Sequence, residues 1–225
     1  MTALASVPLR SKSNLHLKLC NKLSAFARVD GLKDAQFGVE TKVLNYLVSY
    51  ARQTLKAKKV ALFGHSYGSY LSANTANQTA VDAVILTGFS GFFDYFTPFV
   101  AGAGLRVAKT KNPQRWGELD SAYLTSADLY SDVYIYFKSP FFEQRVAEWA
   151  HDAVGEPFAA GELLSLIADY TNFNNVTAPV FVLQGQYDLS ACGGDCVELL
   201  SEKTMRKKVF QKAKTIKLVD DLPAG

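Results

Sequence analysis

Lys59-Val60-Ala61-Leu62-Phe63-Gly64-His65-Ser66-Tyr67-Gly68-Ser69-Tyr70-Leu71-Ser72-Ala73-Asn74-Thr75-Ala76-Asn77 is the stretch on which the fold turns. Its first five residues form an apolar run with the length and composition of a buried strand. Gly64-His65-Ser66-Tyr67-Gly68 then gives the spacing G-x-S-x-G. Ser69 to Asn77, rich in small residues, continues as a helix. Strand, sharp turn and helix in this order hold a serine in a strained position at the top of a sheet. Gly64 and Gly68 are required by the turn, because a side chain there would collide across it.

Working outward, Val43, Leu44, Leu47, Val48, Ala51 and Leu55 recur at helical spacing within Thr41 to Leu55. Val81 to Thr87 reads as a second buried strand. Strand, helix and strand in sequence predict a parallel sheet. The sheet resumes at Pro179 to Gly185 and ends at Thr215 to Val219, with an amphipathic basic helix predicted from Cys196 to about Lys212. The fold class is α/β. Between Gly88 and about residue 175 the pattern is helical with no comparable strand. Phe89, Phe92, Phe93, Tyr95, Phe96 and Phe99 crowd its start, and Tyr130, Tyr134, Tyr136, Phe137, Phe141 and Phe142 follow. These rings either line a pocket or only pack this segment onto the sheet.

The strand–turn–helix unit and the strands after it resemble the serine-nucleophile branch of the α/β-hydrolase superfamily, from about Gly38 to the end of the chain. The resemblance implies a mostly parallel sheet with a helical cap, at about 88–175, inserted after the strand that follows the nucleophile elbow. It implies attack by Ser66 on an ester, thioester or amide, with the Tyr67 N–H supplying half of an oxyanion hole. It places the triad acid at Asp188, just after the strand at Pro179–Gly185; the alternative is an Asp that merely starts a turn. An aromatic cap implies a small apolar acyl-type substrate. No cofactor and no metal are implied. A serine at position 66 also argues against haloalkane dehalogenase or epoxide hydrolase chemistry, where that position is an aspartate.

Serine needs a base, and in this superfamily a histidine follows the last strand. His16, His65 and His151 all precede Asp188. His65 is expected to pack beneath the turn, and His151 reaches the serine only by an atypical arrangement. Residues 1–37 hold no convincing strand series and no glycine signature for the second oxyanion donor. The expectation is therefore a partial domain over 38–225 after a poorly ordered leader over 1–37. Such a truncated hydrolase would be weak or inactive as written, its sheet bare on the side of the elbow strand. The alternative is a non-catalytic binding or interaction protein on the same fold.

Composition narrows the classes. The 225 residues are 48% hydrophobic, enough for one sizeable core. A net charge of +3 gives no ground for a nucleic-acid partner. No transmembrane segment is expected, since Gly88 to Leu105 is interrupted by Asp94 and Pro98. No signal peptide is visible. Met1 to Arg28 carries Arg10, Lys12, Lys18, Lys22 and Arg28 with no acid, as presequences do, or as a misassigned leader would. Cys192 and Cys196 either close a small disulfide loop or remain free thiols; with no histidine beside them they do not make a metal site. Asn77-Gln78-Thr79 and Asn175-Val176-Thr177 are glycosylation sequons that matter only in a secreted chain. The compartment and the oligomeric state are left open.

Overall fold

A computed structural model describes residues 2–8, 14–20, 29–169 and 172–223. Among these, six strands form the main sheet in the order β2-β1-β3-β4-β8-β9. They are β1 (Thr2–Pro8), β2 (Asn14–Cys20), β3 (Ala61–His65), β4 (Ala83–Thr87), β8 (Val180–Gly185) and β9 (Ile216–Leu222). β3, β4, β8 and β9 run parallel, and β1 is antiparallel to both β2 and β3. The mostly parallel α/β sheet is thus the architecture that the sequence predicts.

The sheet's left half departs from expectation. Thr2–Pro8 pairs with Ala61–His65, so the side of β3 that was expected to stand bare is covered by a hairpin. Asp30 to Ala35 is also built into the fold: Gly31 N–H donates to Asp120 Oδ2 at 2.8 Å, and Gly161 N–H donates to Gly31 O at 2.9 Å. The stretch expected as a leader, 1–37, thus carries β1 and β2 and these contacts of Asp30 to Ala35. Arg10, Lys12, Lys22 and Arg28 of its basic run lie outside the described residues.

Period-two burial explains the central strands. Leu62 and Gly64 of β3, Val84 and Leu86 of β4, and Val180, Val182 and Gln184 of β8 are buried, while the residues between them are half-buried or exposed. A fully buried leucine such as Leu62 is worth roughly 2–5 kcal/mol by truncation. Two helices pack together beside β3 and β4. α1 (Phe37–Gln53) buries Phe37, Leu44, Val48 and Ala51 on one stripe. α2 (Tyr67–Gln78) is buried almost throughout, which its Gly, Ser, Ala and Thr side chains allow because they let backbones approach closely. Phe89, Phe173 and Phe210, with ring centroids 5.9 Å apart pairwise, close the core.

The connection from β4 to β8 is mainly helical: α3 (Phe96–Ala103), α4 (Ala108–Lys111), α5 (Pro113–Trp116), α6 (Leu129–Tyr136), α7 (Gln144–Trp149) and α8 (Ala160–Ala168). Three strands of two or three residues, β5 (Arg106–Val107), β6 (Tyr123–Thr125) and β7 (Phe158–Ala159), form a second sheet within it. They are too short to print a period in the sequence. Around them Ala35, Ala108, Trp116, Tyr123 and Ala159 make a satellite core. After β8 come α9 (Leu189–Cys192), α10 (Cys196–Leu199) and α11 (Glu202–Lys208). The single helix predicted from Cys196 to Lys212 is broken because Ser201 turns extended and accepts from Thr204 N–H at 3.0 Å, capping α11. Among the described residues, no helix is long and apolar enough to cross a membrane.

Candidate functional site

The turn between β3 and α2 is constrained from both sides. A Cβ on Gly64 would lie 2.2 Å from the carbonyl oxygen of Gly68, so the strand enters the helix only through glycine. Ser66 is bent into φ +51°, ψ −122°, a conformation that costs a non-glycine residue roughly 1–3 kcal/mol. Its N–H donates to Thr87 O at 2.8 Å, and its carbonyl accepts from Ser69 N–H at 2.8 Å. The Ser69 hydroxyl donates to Thr87 O at 2.8 Å, and the Thr87 hydroxyl reaches Gly64 O at 3.3 Å. Strand end, turn and helix are thereby locked to the end of β4. The Ser66 side chain does not cap α2. Tyr67 is the first residue of α2, so its N–H has no acceptor inside the helix.

Ser66 lines an open cavity of about 660 Å³. Most of the remaining wall is aromatic and aliphatic, from Tyr67, Tyr70, Phe92, Phe93, Phe96, Phe99, Phe158, Leu163 and Leu166, with Gly88, Glu162, Ser190 and Ala191 on it as well. A cavity with this lining suits an apolar organic group. Rings of the β4–β8 connection thus line the cavity and also pack: Tyr70 lies 5.1 Å from Phe93 and 4.8 Å from Phe89.

Asp188 follows β8 and is the N-cap of α9. Its Oδ1 accepts from Ala191 N–H and from the Ser190 hydroxyl, each at 2.8 Å. Its Oδ2 accepts from Gln184 Nε2 at 2.7 Å. Gln184 is itself buried, and its Oε1 accepts from Phe89 N–H at 2.6 Å. The carboxylate is therefore wired into the rim where Ser66 also sits, at the C-terminal ends of parallel strands, but Asp188 itself is not in the cavity wall.

The histidines sit differently from expectation. His65 is exposed instead of packed beneath the turn, with Nδ1 2.8 Å from the Thr87 hydroxyl. Partial burial holds its pKa below the ordinary histidine value, against the pull of Asp188 in the other direction. His151 lies in a π-turn at Ala150–Val154, and its Nδ1 is 2.5 Å from Asp132 Oδ2. Neither His65 nor His151 lines the cavity. His16 is in β2, and its side chain lies outside the described residues.

Cys192 and Cys196 are joined as a disulfide that staples α9 to α10. Of the two sequons, Asn77 accepts from Asn175 N–H at 2.8 Å and Asn175 from Lys212 Nζ at 2.8 Å. Among the described residues, no group of three or more metal-ligating side chains comes together.

Sequence reasoning missed one element of the site altogether. Glu40 of α1 and Glu162 of α8, 8% and 4% exposed, face each other and the Tyr67 hydroxyl. Glu162 lines the cavity, and its Oε2 accepts from Ala159 N–H at 2.8 Å. Burial, then the neighbouring Glu40, pushes the Glu162 pKa up to about 8. Burial raises Glu40 as well, and burial followed by the two carboxyls raises Tyr67. The available signal was a lone acid on each apolar helix face: Glu40 among Phe37, Thr41 and Leu44, and Glu162 in Ala159-Ala160-Gly161-Glu162-Leu163-Leu164.

Residues 32–100 match the family model described as alpha/beta hydrolase. Among solved structures the chain is similar to an alpha/beta fold family hydrolase from Bacillus anthracis strain Sterne, at 13% identity and TM-score 0.46, over 80% of this chain and 65% of that one. It is also similar to a lipase-esterase related protein from Clostridium acetobutylicum, at 15% identity and TM-score 0.37, over 83% and 67% of the two chains. An esterase of a marine microorganism aligns at 12% identity and TM-score 0.37, over 80% and 68%. The chain thus spans less than two thirds of the length of the Bacillus anthracis hydrolase. No curated protein sequence matches it. Over residues 32–100, within a chain whose main sheet is mostly parallel, this protein is similar to the α/β hydrolases.

Proposed function

We propose that the protein is a serine hydrolase acting on an ester, thioester or amide whose acyl part is small and apolar. Ser66 is the nucleophile of an elbow, and the β4–β8 connection, over about 88–175, is the cap that supplies the aromatic wall. The observation that carries this is the conformation of Ser66: a strained serine, uncommitted to capping, at the mouth of an apolar cavity. In the reaction the hydroxyl oxygen would bond to the acyl carbon while its proton passes to a base. The developing oxyanion would lie against Tyr67 N–H at the positive end of α2. Asp188 would orient that base from the neighbouring strand end.

A second reading, a binding protein that keeps the fold without the chemistry, is favoured by one observation. Among the described residues the Asp188 carboxylate accepts from Gln184, Ser190 and Ala191, and neither His65 nor His151 lines the cavity. A fluorophosphonate probe with intact-mass and peptide readout separates the two. The hydrolase reading expects an adduct on Ser66 that Ser66→Ala abolishes. A chain that melts cooperatively yet takes no adduct is the binding protein.

A further inference from the structure

We propose that the carboxyl of Glu162, with Glu40 and the Tyr67 hydroxyl behind it, is a recognition site for an alkylammonium group, so that ligands of the cavity carry a protonated amine beside an apolar body. The proposal deepens the reading above by naming a substrate class, and it rests on that reading for the cavity alone.

Two carboxyl groups present four oxygens, and the donors that face them are Ala159 N–H, on Glu162 Oε2, the Tyr67 hydroxyl, and the one proton that the raised pair shares. Glu40 Oε2 and the Tyr67 oxygen, both buried, complete no hydrogen bond. The site is rich in acceptors and short of donors, and burial makes that deficit costly. No lysine, arginine or histidine is among the described residues of the cavity wall, so the chain's own side chains there do not neutralise Glu162. Burial and the neighbouring Glu40 raise the Glu162 pKa to about 8, so at pH 7 the pair holds a proton that a bound ammonium would displace.

A ligand that repairs this must bring donors and positive charge without adding acceptors. An ammonium has three donors and no acceptor; a hydroxyl brings one donor and further lone pairs; a carboxylate adds to the imbalance. The rest of the wall agrees with a cation. Tyr70, Phe92, Phe93, Phe96 and Phe158 on the wall are aromatic, and rings attract cationic groups and take up their hydrocarbon stems. Acid and rings come from separate elements, α8 and the start of the β4–β8 connection, and converge on one cavity.

The test is calorimetric titration of the purified chain at pH 7 with three probes of one shape: 2-phenylethylammonium chloride, 2-phenylethanol and sodium 3-phenylpropionate. The expected result is roughly tenfold or tighter binding of the ammonium over the alcohol, with the carboxylate weakest, as charge-assisted hydrogen bonds imply. Glu162→Gln should bring ammonium and alcohol within about threefold, chiefly by loss of ammonium affinity. Equal affinities in the wild-type chain overturn the proposal, as does absence of binding by all three, or a preference that survives Glu162→Gln. If that variant does not fold, the wild-type ratio decides alone. Ser66→Ala should retain the preference, so an inert serine and a missing amine site register as different results.

Discussion

The turn at Ser66 and the carboxyl pair beneath the cavity share a wall and differ in how their polar groups are met. At the turn, Ser66 N–H, the Ser69 hydroxyl and the Thr87 hydroxyl all find backbone carbonyls within one strand spacing. At Glu40 and Glu162 two acids are pressed together, with buried oxygens that complete no bond. The first region spends its strain on backbone geometry and is otherwise satisfied. The second has unstrained helices and unsatisfied chemistry. A site can hold energy in either form, and the two are tested by different changes.

The largest effect is expected where backbone meets backbone. Gly64→Ala would put a methyl 2.2 Å from Gly68 O and 2.6 Å from Ser69 Cα, none of which is a flexible side chain. A loss of about 4 kcal/mol or more, or no folded protein, is expected from urea unfolding. A variant as stable as the wild type would mean that the turn is looser than described.

The acid pair predicts a smaller effect of a distinctive kind. Glu162 titrates near 8 in the fold against 4.5 as an ordinary carboxyl, so the folded state holds a proton that the unfolded chain releases between those values. Stability should therefore fall as pH rises from about 4.5 to about 8 and level off above, by on the order of 3 kcal/mol. Among the described residues the groups facing it are Glu40 on α1, Tyr67 on α2 and Tyr123 on β6, and the raised Glu40 acts in the same direction. Thermal melts at pH 5 and pH 8 measure this, and Glu162→Gln should flatten the slope. A slope unchanged in the variant would assign the titration elsewhere.

What was legible in the sequence divides along the same line. β3, β4, β8 and β9, and the helices α1 and α2, follow from apolar runs and helical spacing, because one face of each is buried by the core. The hairpin β1–β2 was missed although Asn14-Leu15-His16-Leu17-Lys18-Leu19-Cys20 alternates with a period of two; its basic residues drew attention to charge instead. The rim also follows from order alone, since Ser66 and Asp188 each terminate a predicted strand. The acid pair did not, because Glu40 and Glu162 are 122 positions apart (162 − 40) and meet only when α1 and α8 pack. Nothing local distinguishes an acid buried against another from one in solvent.

Asp188 tests how far the rim depends on wiring. Asp188→Ala would strand the donors of Ala191, Ser190 and Gln184 at once, for a loss of about 2 kcal/mol in urea unfolding. Asp188→Asn keeps an oxygen that can cap α9 and should recover roughly half of that. Equal losses would shift the weight from the cap to the Gln184 bond.

The smallest effect is expected at His151, where the comparison is most exposed to being wrong. The His151–Asp132 pair has the contact of a catalytic base with its orienting acid, an imidazole Nδ1 held at 2.5 Å by a carboxylate. It sits in the β4–β8 connection, partly solvent-exposed, and is absent from the cavity wall. A pair so placed contributes at most about 1 kcal/mol to stability, and its loss should leave the rate of fluorophosphonate labelling at Ser66 within about twofold in His151→Ala. A drop of a hundredfold or more would mean that the connection swings its histidine onto the serine, and the division between a rigid chemical rim and a ligand-binding wall would fail, since the wall would then supply the base.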